Sequence, residues 1–468
     1  MRSSSRALAF AAVAAVVATG AAACSSGSSS SSSSAASSAT SSSTGAAASG
    51  SSSAAPTASI TAWIVTTASA GQPSPSDQAE QALATAFDKA HPGDTVTIQL
   101  VNNDNYKTQI ANAMTAGNEP QIFWTWGGGT LDQDIKAGKV VPLTSTANLS
   151  SSYLSQFLPS SLGAVTDNGN VYGIPIQGTQ PVYFFYNKTV FSKYGLSFPT
   201  TWSQLLSDAA VFKSHGIAPI SLAGGSTWPD LMYLEYLADR IGGPSVATAI
   251  QDNKPNAWSN PAVTEALTDI QTLVKDGDFQ TGYTTLQDNG TNDTLVYTGK
   301  AAMQLMGDWD ISSILGEDSS FISSGQLGMG NFPTVAGGTG NPADLAGNTA
   351  SYVAISTNTT PAQRAVAEEF FQQELASPAY AKAQVAAGEV PVTSGSSADF
   401  SGNLASFDTT IYNDVQKAPS FQYSWDQATT PGVSAEMITD LGKLFDLSIT
   451  PAAMESDLNS FAAKDAAS

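Results

Sequence analysis

The stretch that decides the fold is residues 59–126, which begins SITAWIVT (59–66) and ends QIFWTW (121–126). It alternates three β-prone runs with two segments of helical spacing: Ser59–Thr66, Ser76–His91, Thr95–Val101, Tyr106–Ala116 and Gln121–Trp126. Pro92-Gly93 and Gly117 end the two helical segments. A strand–helix–strand–helix–strand order predicts a parallel sheet with crossover helices.

Ligands of parallel sheets bind beyond the carboxyl ends of the strands. This rule places Trp63, Asn102–Asn105 and Trp124–Gly129 on one rim. Trp124 and Trp126 alternate, so both cannot point the same way unless the strand has ended. We therefore predict that Trp126, nearer the strand end, faces the ligand and that Trp124 belongs to the core.

The rest of the chain predicts a second set of strands and helices without an internal repeat. Its clearest segments are Tyr183–Tyr186, Trp202–Lys213, Pro261–Lys275, Ser351–Ser356, Pro361–Ala376 and a last helix opening at Pro451. The body from about Ala58 onward is longer than one typical domain, so two lobes are expected.

The N-terminal residues predict an exported protein. Arg2 and Arg6 precede the apolar run Ala7–Ala18, which has the length of a signal-peptide core and is too short to span a bilayer. Cys24, the only cysteine of the 468 residues, follows three alanines and resembles a bacterial lipobox. We expect a signal peptide over 1–23, lipidation of Cys24 and anchoring at the outer face of the cytoplasmic membrane; an ordinary secretory signal is the alternative.

Residues 24–57 are almost entirely Ser, Ala and Gly. Such a segment cannot bury enough apolar surface to offset backbone ordering, so we interpret it as a flexible tether. A stalk with a partner of its own is the alternative.

The composition excludes several classes of function. The formal net charge is −21, which disfavours nucleic acid and anionic membrane surfaces. A single cysteine permits no internal disulfide. His91 and His215 lack the spacing of metal ligands, so neither a metal nor another cofactor is expected.

Seven fragments occur in an order that resembles the extracellular solute-binding proteins of carbohydrate ABC importers, the broad group that includes the maltose-binding proteins. The fragments are AFDKAHPGDTV (86–96), AMTAGNEPQIFWTW (113–126), VYGIPI (171–176), FFYNKTVFSKYGL (184–196), PTTWSQL (199–205), YTGKAAMQLMGDWD (297–310) and AVAEEFFQQELAS (365–377). The sequence differs from the usual pattern of this family at two places. Gln121 stands where the family often has Asp, and no polar residue directly follows Trp63.

The resemblance implies an α/β fold of the two-lobed periplasmic-binding-protein type II, each lobe a mostly parallel sheet flanked by helices. Lobe 1 would comprise residues 58–178 and 352–404, and lobe 2 residues 179–351 and 405–468. The chain crossings are expected near Ile176–Pro181, Asn348–Tyr352 and Ser401–Thr410. Closure would be hinge bending, for which Gly178 and Gly347 are suited.

A sugar site needs flat rings against the C–H patches of the pyranose and polar groups at its hydroxyls. By resemblance, Trp228, Trp309 and Trp425 are expected as stacking residues. Trp63 and Trp126 are added from the rim of the first sheet. The polar edge is assigned to Asn105, Gln180, Asp308 and Asn348. Trp202 and Trp258 open helices and are interpreted as packing residues.

These observations predict a binding protein that captures a neutral sugar or oligosaccharide outside the cell and delivers it to the permease subunits of an ABC importer. A monomer without catalytic residues is expected. A secreted carbohydrate-active enzyme is the first alternative, although Asp308 and Asp310 are the only pair that suggests a glycosidase. The second alternative keeps the fold and binds a polyol or another small polar solute.

Overall fold

The computed structural model describes residues 57–66, 72–144, 146 and 149–466. The predicted signal peptide, Cys24 and all of the predicted tether except Thr57 lie outside the described residues. Within the described ranges, no helix combines the length and the apolar character that crossing a bilayer requires.

The strands of the described ranges belong to two main sheets and one small hairpin. They are β1 (Ser59–Thr66), β2 (Thr95–Asn102), β3 (Ile122–Thr125), β4 (Thr166–Asp167), β5 (Asn170–Val171), β6 (Ile174–Gln177), β7 (Gln180–Asn187), β8 (Ala218–Ser221), β9 (Ala301–Gly307), β10 (Leu327–Gly330), β11 (Leu345–Asn348), β12 (Ser351–Ile355) and β13 (Phe421–Tyr423).

Helices cover the faces of the sheets. They are α1 (Pro75–Ala90), α2 (Asn103–Ala116), α3 (Gly128–Lys136), α4 (Ser151–Leu154), α5 (Pro159–Leu162), α6 (Lys188–Lys193), α7 (Trp202–Ser214), α8 (Trp228–Gly242), α9 (Ser245–Gln251), α10 (Pro261–Asp276), α11 (Thr291–Tyr297), α12 (Asp310–Glu317), α13 (Ser319–Ser323), α14 (Pro361–Phe370), α15 (Pro378–Ala386), α16 (Ala405–Lys417), α17 (Trp425–Ala428), α18 (Pro431–Phe445) and α19 (Pro451–Asp465).

Sheet 1 has the strand order β2-β1-β3-β12-β6. β1 pairs in parallel with β2 and β3, so the predicted strand–helix–strand–helix–strand unit is confirmed. β1 has the predicted bounds. α1 begins one residue early because Ser74 caps it and Pro75 occupies its first turn, a favourable pairing at a helix start.

Sheet 2 has the order β13-β11-β7-β9-β8, with β10 also paired to β7. β9, β10 and β11 run antiparallel to β7, and in sheet 1 β12 runs antiparallel to β3. Both sheets are therefore mixed, and the expectation of mostly parallel sheets is wrong. Two-residue links carry the chain from β6 of sheet 1 to β7 of sheet 2 and from β11 of sheet 2 to β12 of sheet 1, so β7 and β12 enter their sheets without a crossover helix before them.

Each sheet has its own hydrophobic core. Phe184 and Phe185 of β7 lie in the core of sheet 2, and Phe123 and Tyr352 lie in the core of sheet 1. The chain passes between the sheets at residues 178–179 and 349–350. These links coincide with the first two predicted crossings, whereas the third crossing and the lobe boundaries stay predictions.

Trp202 and Trp258 are 7% and 2% exposed and lie in the core of sheet 2. Their interpretation as packing residues is confirmed. The remaining six tryptophans of the chain are those considered for the site.

Candidate functional site

A cleft with about 1000 Å³ of empty space, part of it open to solvent, lies between the elements of the two sheets. The sheet 1 side contributes Val65, Thr66, Asn102, Asn103, Lys107, Trp124 and Trp126. The sheet 2 side contributes Val182, Trp228, Met232, Glu235, Asp288, Asn289, Gly290, Asp293, Trp309, Asp310, Ser313, Ser424, Asp426 and Gln427. The links and their flanks contribute Gln177, Gln180, Gly347, Asn348 and Ser351.

The sheet 1 wall follows the carboxyl ends of its parallel strands. Thr66 ends β1, Asn102 ends β2 and Trp126 follows β3, and all three line the cleft. The rim predicted from strand order is confirmed at Asn102 and Trp126, whereas Thr66 takes the place that was predicted for Trp63.

The first aromatic pair of the cleft is Trp228 with Trp309. The ring centroids lie 5.9 Å apart and the planes make an angle of 51°. Trp228 opens α8, and Trp309 directly precedes α12. Gly307 makes room for the Trp309 ring, because a Cβ at this position would lie 2.0 Å from a ring atom.

The second aromatic pair is Trp124 with Trp126, whose centroids lie 6.3 Å apart. Trp126 lines the cleft as predicted, but so does Trp124, although only 3% of Trp124 is exposed. β3 ends at Thr125, so the strict alternation between the two side chains stops there. Trp124 lies in the core of sheet 1, as predicted, and it lines the cleft as well, which the sequence did not predict.

Trp425 does not line the cleft, which corrects its predicted placement. Its ring is fully buried, its indole Nε1 donates to Gln422 Oε1 at 3.0 Å, and its centroid lies 5.9 Å from that of Trp258. The side chains that α17 and its cap turn toward the cleft are instead Ser424, Asp426 and Gln427.

Trp63 and Asn105 are also absent from the cleft lining. Trp63 packs on sheet 1 and donates its indole N–H to Gln99 Oε1, 2.7 Å away on the neighbouring strand. Asn105 is exposed because α2 begins at Asn103, so the expected loop is the first turn of a helix.

Asp308 lies behind the lining and is 2% exposed. Burial, together with the charges of Glu389 and Asp408, raises the pKa of Asp308 well above its usual range. Its placement at the polar edge is corrected, because the side chain that follows Trp309 in the lining is Asp310.

Gln180 and Asn348 line the cleft as expected. Gln180 belongs to a chain of hydrogen bonds that joins both links between the sheets. Gln177 donates to Glu80 at 3.1 Å, Gln180 donates to Gln177 at 2.9 Å, and Ser351 donates to Gln180 at 2.9 Å. This chain fixes the amide of Gln180 at the floor of the cleft.

Several buried polar atoms of the lining lack a hydrogen-bond partner among the described residues. They are Asn103 Oδ1, Trp124 Nε1, Trp228 Nε1, Glu235 Oε2 and Asn348 Oδ1. A buried polar group left unpaired costs about 1–3 kcal/mol. The two indole nitrogens thus offer donors to a polar ligand and the two Asn oxygens offer acceptors, while Glu235 Oε2 offers a donor as long as its carboxyl keeps a proton.

Acidic side chains dominate the charge of the cleft. Glu235, Asp288, Asp293, Asp310 and Asp426 line it. Burial raises the pKa of Glu235 to about 8, and burial together with Asp104 raises the pKa of Asp288 to about 7. Asp293 and Asp310 both accept from the amide of Gln304, and burial raises the pKa of both carboxyls well above their usual range, helped by the charge of Glu317 at Asp293 and by the charge of Asp293 at Asp310.

Contacts between the two walls partly close the cleft. Lys107 Nζ lies 2.8 Å from Asp426 Oδ2, and Ser226 Oγ donates to Asp104 Oδ2 at 2.8 Å. Tyr423 donates its hydroxyl proton to the carbonyl oxygen of Trp126. The walls are therefore in direct contact in this conformation.

Sequence reasoning missed Lys107, Gln177, Glu235 and Asp288. One signal for Glu235 was available, because Trp228, Met232 and Glu235 are spaced by four and three residues, which places them on one face of a helix. Nothing comparable marked Asp288, which lies outside a regular element. Among the described residues, no group of three or more His, Cys, Asp or Glu side chains is arranged to hold a metal ion.

Known proteins share both sequence and fold with this chain. An uncharacterized ABC transporter extracellular-binding protein of Pyrococcus horikoshii is 27% identical over 239 residues, which are 50% of this chain and 52% of the relative. A probable sugar-binding periplasmic protein of Rhizobium meliloti is 27% identical over 206 residues, 43% of this chain and 47% of the relative. The chain spans about half the length of these curated relatives.

The fold comparison extends further along the chain. A structure from work on xylan utilization by the thermophilic bacterium Caldanaerobius polysaccharolyticus has a TM-score of 0.77 and 27% identity, covering 86% of this chain and 99% of that one. This likeness confirms the predicted two-lobed α/β fold. Residues 70–382, more than half of the chain, match the sequence pattern of the bacterial extracellular solute-binding proteins, and the chain belongs to that family.

Proposed function

We propose that this protein is the solute-binding component of an ABC importer and that it captures a sugar or short oligosaccharide without anionic groups. The observation that carries the proposal is the combination of indole pairs and unpaired buried polar atoms in one cleft. Indole faces suit the C–H patches of a pyranose, and the unpaired atoms suit its hydroxyls. The acidic lining disfavours phosphorylated and uronic ligands.

Ligand contact is assigned to Trp126, Trp228 and Trp309 for stacking, and to Gln180 and Asn348 for hydrogen bonds. All five line the cleft, and the last two flank the links between the sheets. A ligand that touches both walls and both links favours the closed conformer by its differential affinity for the two states. The permease would recognise that conformer.

The lobe boundaries predicted from the sequence are part of the proposal, with a hinge at Gly178 and Gly347. A Cβ at Gly178 would lie 2.0 Å from the carbonyl oxygen of Val390, so the backbone approaches closely there. Gly347 has φ of 141°, which a side chain disfavours.

The protein would work outside the cell as a monomer and carry out no chemistry. We propose attachment to the membrane through lipid on Cys24, supported by the apolar leader and the alanines before the cysteine. Replacing Cys24 with Ala in the producing bacterium should move the protein from the membrane fraction to the soluble fraction. Persistence of the variant in the membrane fraction would contradict the anchor.

Isothermal titration calorimetry with a panel of mono- and oligosaccharides tests the proposal. At least one saccharide should bind and change the tryptophan fluorescence, because three cleft indoles are partly exposed. The absence of binding across the panel would remove the sugar assignment. Turnover of a glycoside would instead support the enzyme alternative.

A further inference from the structure

The Glu235 carboxyl on α8 has one satisfied oxygen and one unpaired oxygen. Its Oε1 atom accepts from the backbone N–H of Trp425 at 2.7 Å and from the Ser424 hydroxyl at 2.9 Å. Its Oε2 atom has no hydrogen-bond partner among the described residues, although the side chain is fully buried and lines the cleft. A buried polar atom left unpaired is costly, so the ligand is the group expected to complete Oε2.

No cation among the described residues balances a negative charge on Glu235. Lys107, the one basic side chain of the described cleft lining, has its Nζ atom 2.8 Å from Asp426 Oδ2 and is paired with that residue. Asp426 is the charged neighbour that acts on Glu235, and its negative charge opposes ionisation. A carboxylate buried without a counter-ion is far more costly than a neutral carboxylic acid. Because Oε1 already accepts two hydrogen bonds, the proton of the neutral acid belongs on Oε2.

The other elements that pack on α8 bring no cation to the Glu235 carboxyl. α9, β9 and β11 carry no titratable side chain, and those of α10 and α18 are not among the groups that act on Glu235. On α8 itself, Tyr236 follows Glu235, and its hydroxyl donates to a backbone carbonyl oxygen. The remaining acidic side chains of the lining do not act on Glu235 either, and they are Asp288, Asp293 and Asp310.

We propose that Glu235 contacts the saccharide as a neutral carboxylic acid and that its Oε2–H group donates a hydrogen bond to an oxygen of the sugar. The inference rests on the proposed function and adds a donor to the contacts assigned there. Burial raises the pKa of Glu235 to about 8, in agreement with a neutral carboxyl at pH 7. Ionisation should weaken binding, because a ligand that fills the cleft displaces the water that would solvate the charge.

Calorimetry on the full chain at pH 7 and at pH 9 tests the inference. The probe is the uncharged saccharide that binds best among glucose, galactose, maltotriose, xylotriose and triacetylchitotriose. Its affinity should be about tenfold lower at pH 9, because the neutral form of Glu235 then accounts for about a tenth of the empty protein. A Glu235 that acts as an ionised acceptor would instead give an affinity that rises with pH.

Proton uptake gives a second readout on the unchanged chain. If the ligand binds the neutral acid, binding at pH 8 should take up about half a proton per ligand. Titrations in buffers of different ionisation enthalpy measure that number directly. This measurement does not depend on the folding of any variant.

The variant Glu235→Gln replaces the O–H donor with an amide N–H donor that does not titrate. Its affinity at pH 7 should stay within about threefold of the unchanged chain, and both the loss at pH 9 and the proton uptake should disappear. Asp269→Asn is the matched control. Burial raises the pKa of Asp269 to about 6, but this residue lies on α10 outside the cleft lining, so the variant should keep the full pH effect.

Three results would overturn the inference, and they differ in their meaning for the proposed function. An affinity that stays constant or rises between pH 7 and pH 9 would refute the neutral acid and leave a sugar-binding protein. A loss at pH 9 that persists in Glu235→Gln would assign the titration to another group, with the same consequence. Failure of every saccharide to bind at pH 7 would refute both proposals.

Discussion

Lys107 Nζ and Asp426 Oδ2 lie 2.8 Å apart across the cleft, one on α2 beside sheet 1 and the other on α17 beside sheet 2. No covalent link near them joins the two elements, since 319 positions separate the residues. The pair therefore stabilises contact between the two walls and not the fold of either one.

We predict that Lys107→Met shifts the empty protein toward an open conformer. The lysine side chain is 49% exposed, so screening limits its contribution to less than about 1 kcal/mol. Small-angle X-ray scattering without ligand should give a larger radius of gyration for the variant. Lys254→Met is the control, because its partner Asp252 lies on the same surface segment, and an equal change in both variants would contradict the assignment.

Replacing Gly347 with any residue that has a side chain should destabilise the folded protein. The φ of 141° at Gly347 is disfavoured for other residues, and a Cβ there would lie 2.2 Å from the carbonyl oxygen of Gln180. Gly347→Ala should lower the free energy of unfolding by about 2 kcal/mol or more, as measured by urea denaturation. Gly163→Ala, where a Cβ would meet no atom within 4 Å, should change it by less than about 0.5 kcal/mol. Similar values for both variants would argue against the close approach.

Stability should fall as pH rises, in part because of Glu235. Burial raises its pKa from 4.5 to about 8 in the folded protein, so the folded state retains a proton that the unfolded state loses earlier. The stabilisation that depends on this proton is complete below about pH 4.5 and is lost as pH rises through about 8. The slope is at most about 1.4 kcal/mol per pH unit for one group.

Glu235→Gln should flatten that dependence, which denaturation at pH 5 and at pH 8 can measure. Glu389, with its pKa also raised to about 8 by burial, contributes in the same direction and remains in the variant. A pH profile of Glu235→Gln that coincides with the unchanged protein would show that Glu235 is ionised in the fold at neutral pH.

Truncating a cleft indole should weaken binding far more than truncating one elsewhere. Trp309→Ala should reduce saccharide affinity at least tenfold, a loss of about 1.4 kcal/mol or more, because a central stacking surface is removed. Trp63→Ala should leave affinity unchanged, since that ring is absent from the lining and bonds to Gln99. Calorimetric titration of both variants measures their affinities for the saccharide. Equal losses of affinity in the two variants would show that the ligand binds outside the cleft.

The sequence was most informative where local chemistry alone fixes a boundary. Pro75 after the capping Ser74 starts α1, and Gly117 in the left-handed region ends α2. Strand alternation with helices then sufficed to place Asn102 and Trp126 at one edge of sheet 1.

The direction of side chains beyond that edge depends on tertiary packing. Trp425 lies beside cleft residues along the chain, yet its ring turns into the core against Trp258. Asn105 is displaced from the site because α2 begins two residues before it. Asp288 lies in the segment before α11 and shares one wall of the cleft with Glu235 of α8, a proximity that no local sequence pattern indicates.

A crystal structure of the protein with a bound oligosaccharide tests the central claim most directly. We expect one sugar ring against the indoles of Trp228 and Trp309, with a hydroxyl within hydrogen-bonding distance of Asn348 or Glu235. Sugar density outside the cleft, or a cleft occupied without contact to either indole, would contradict it.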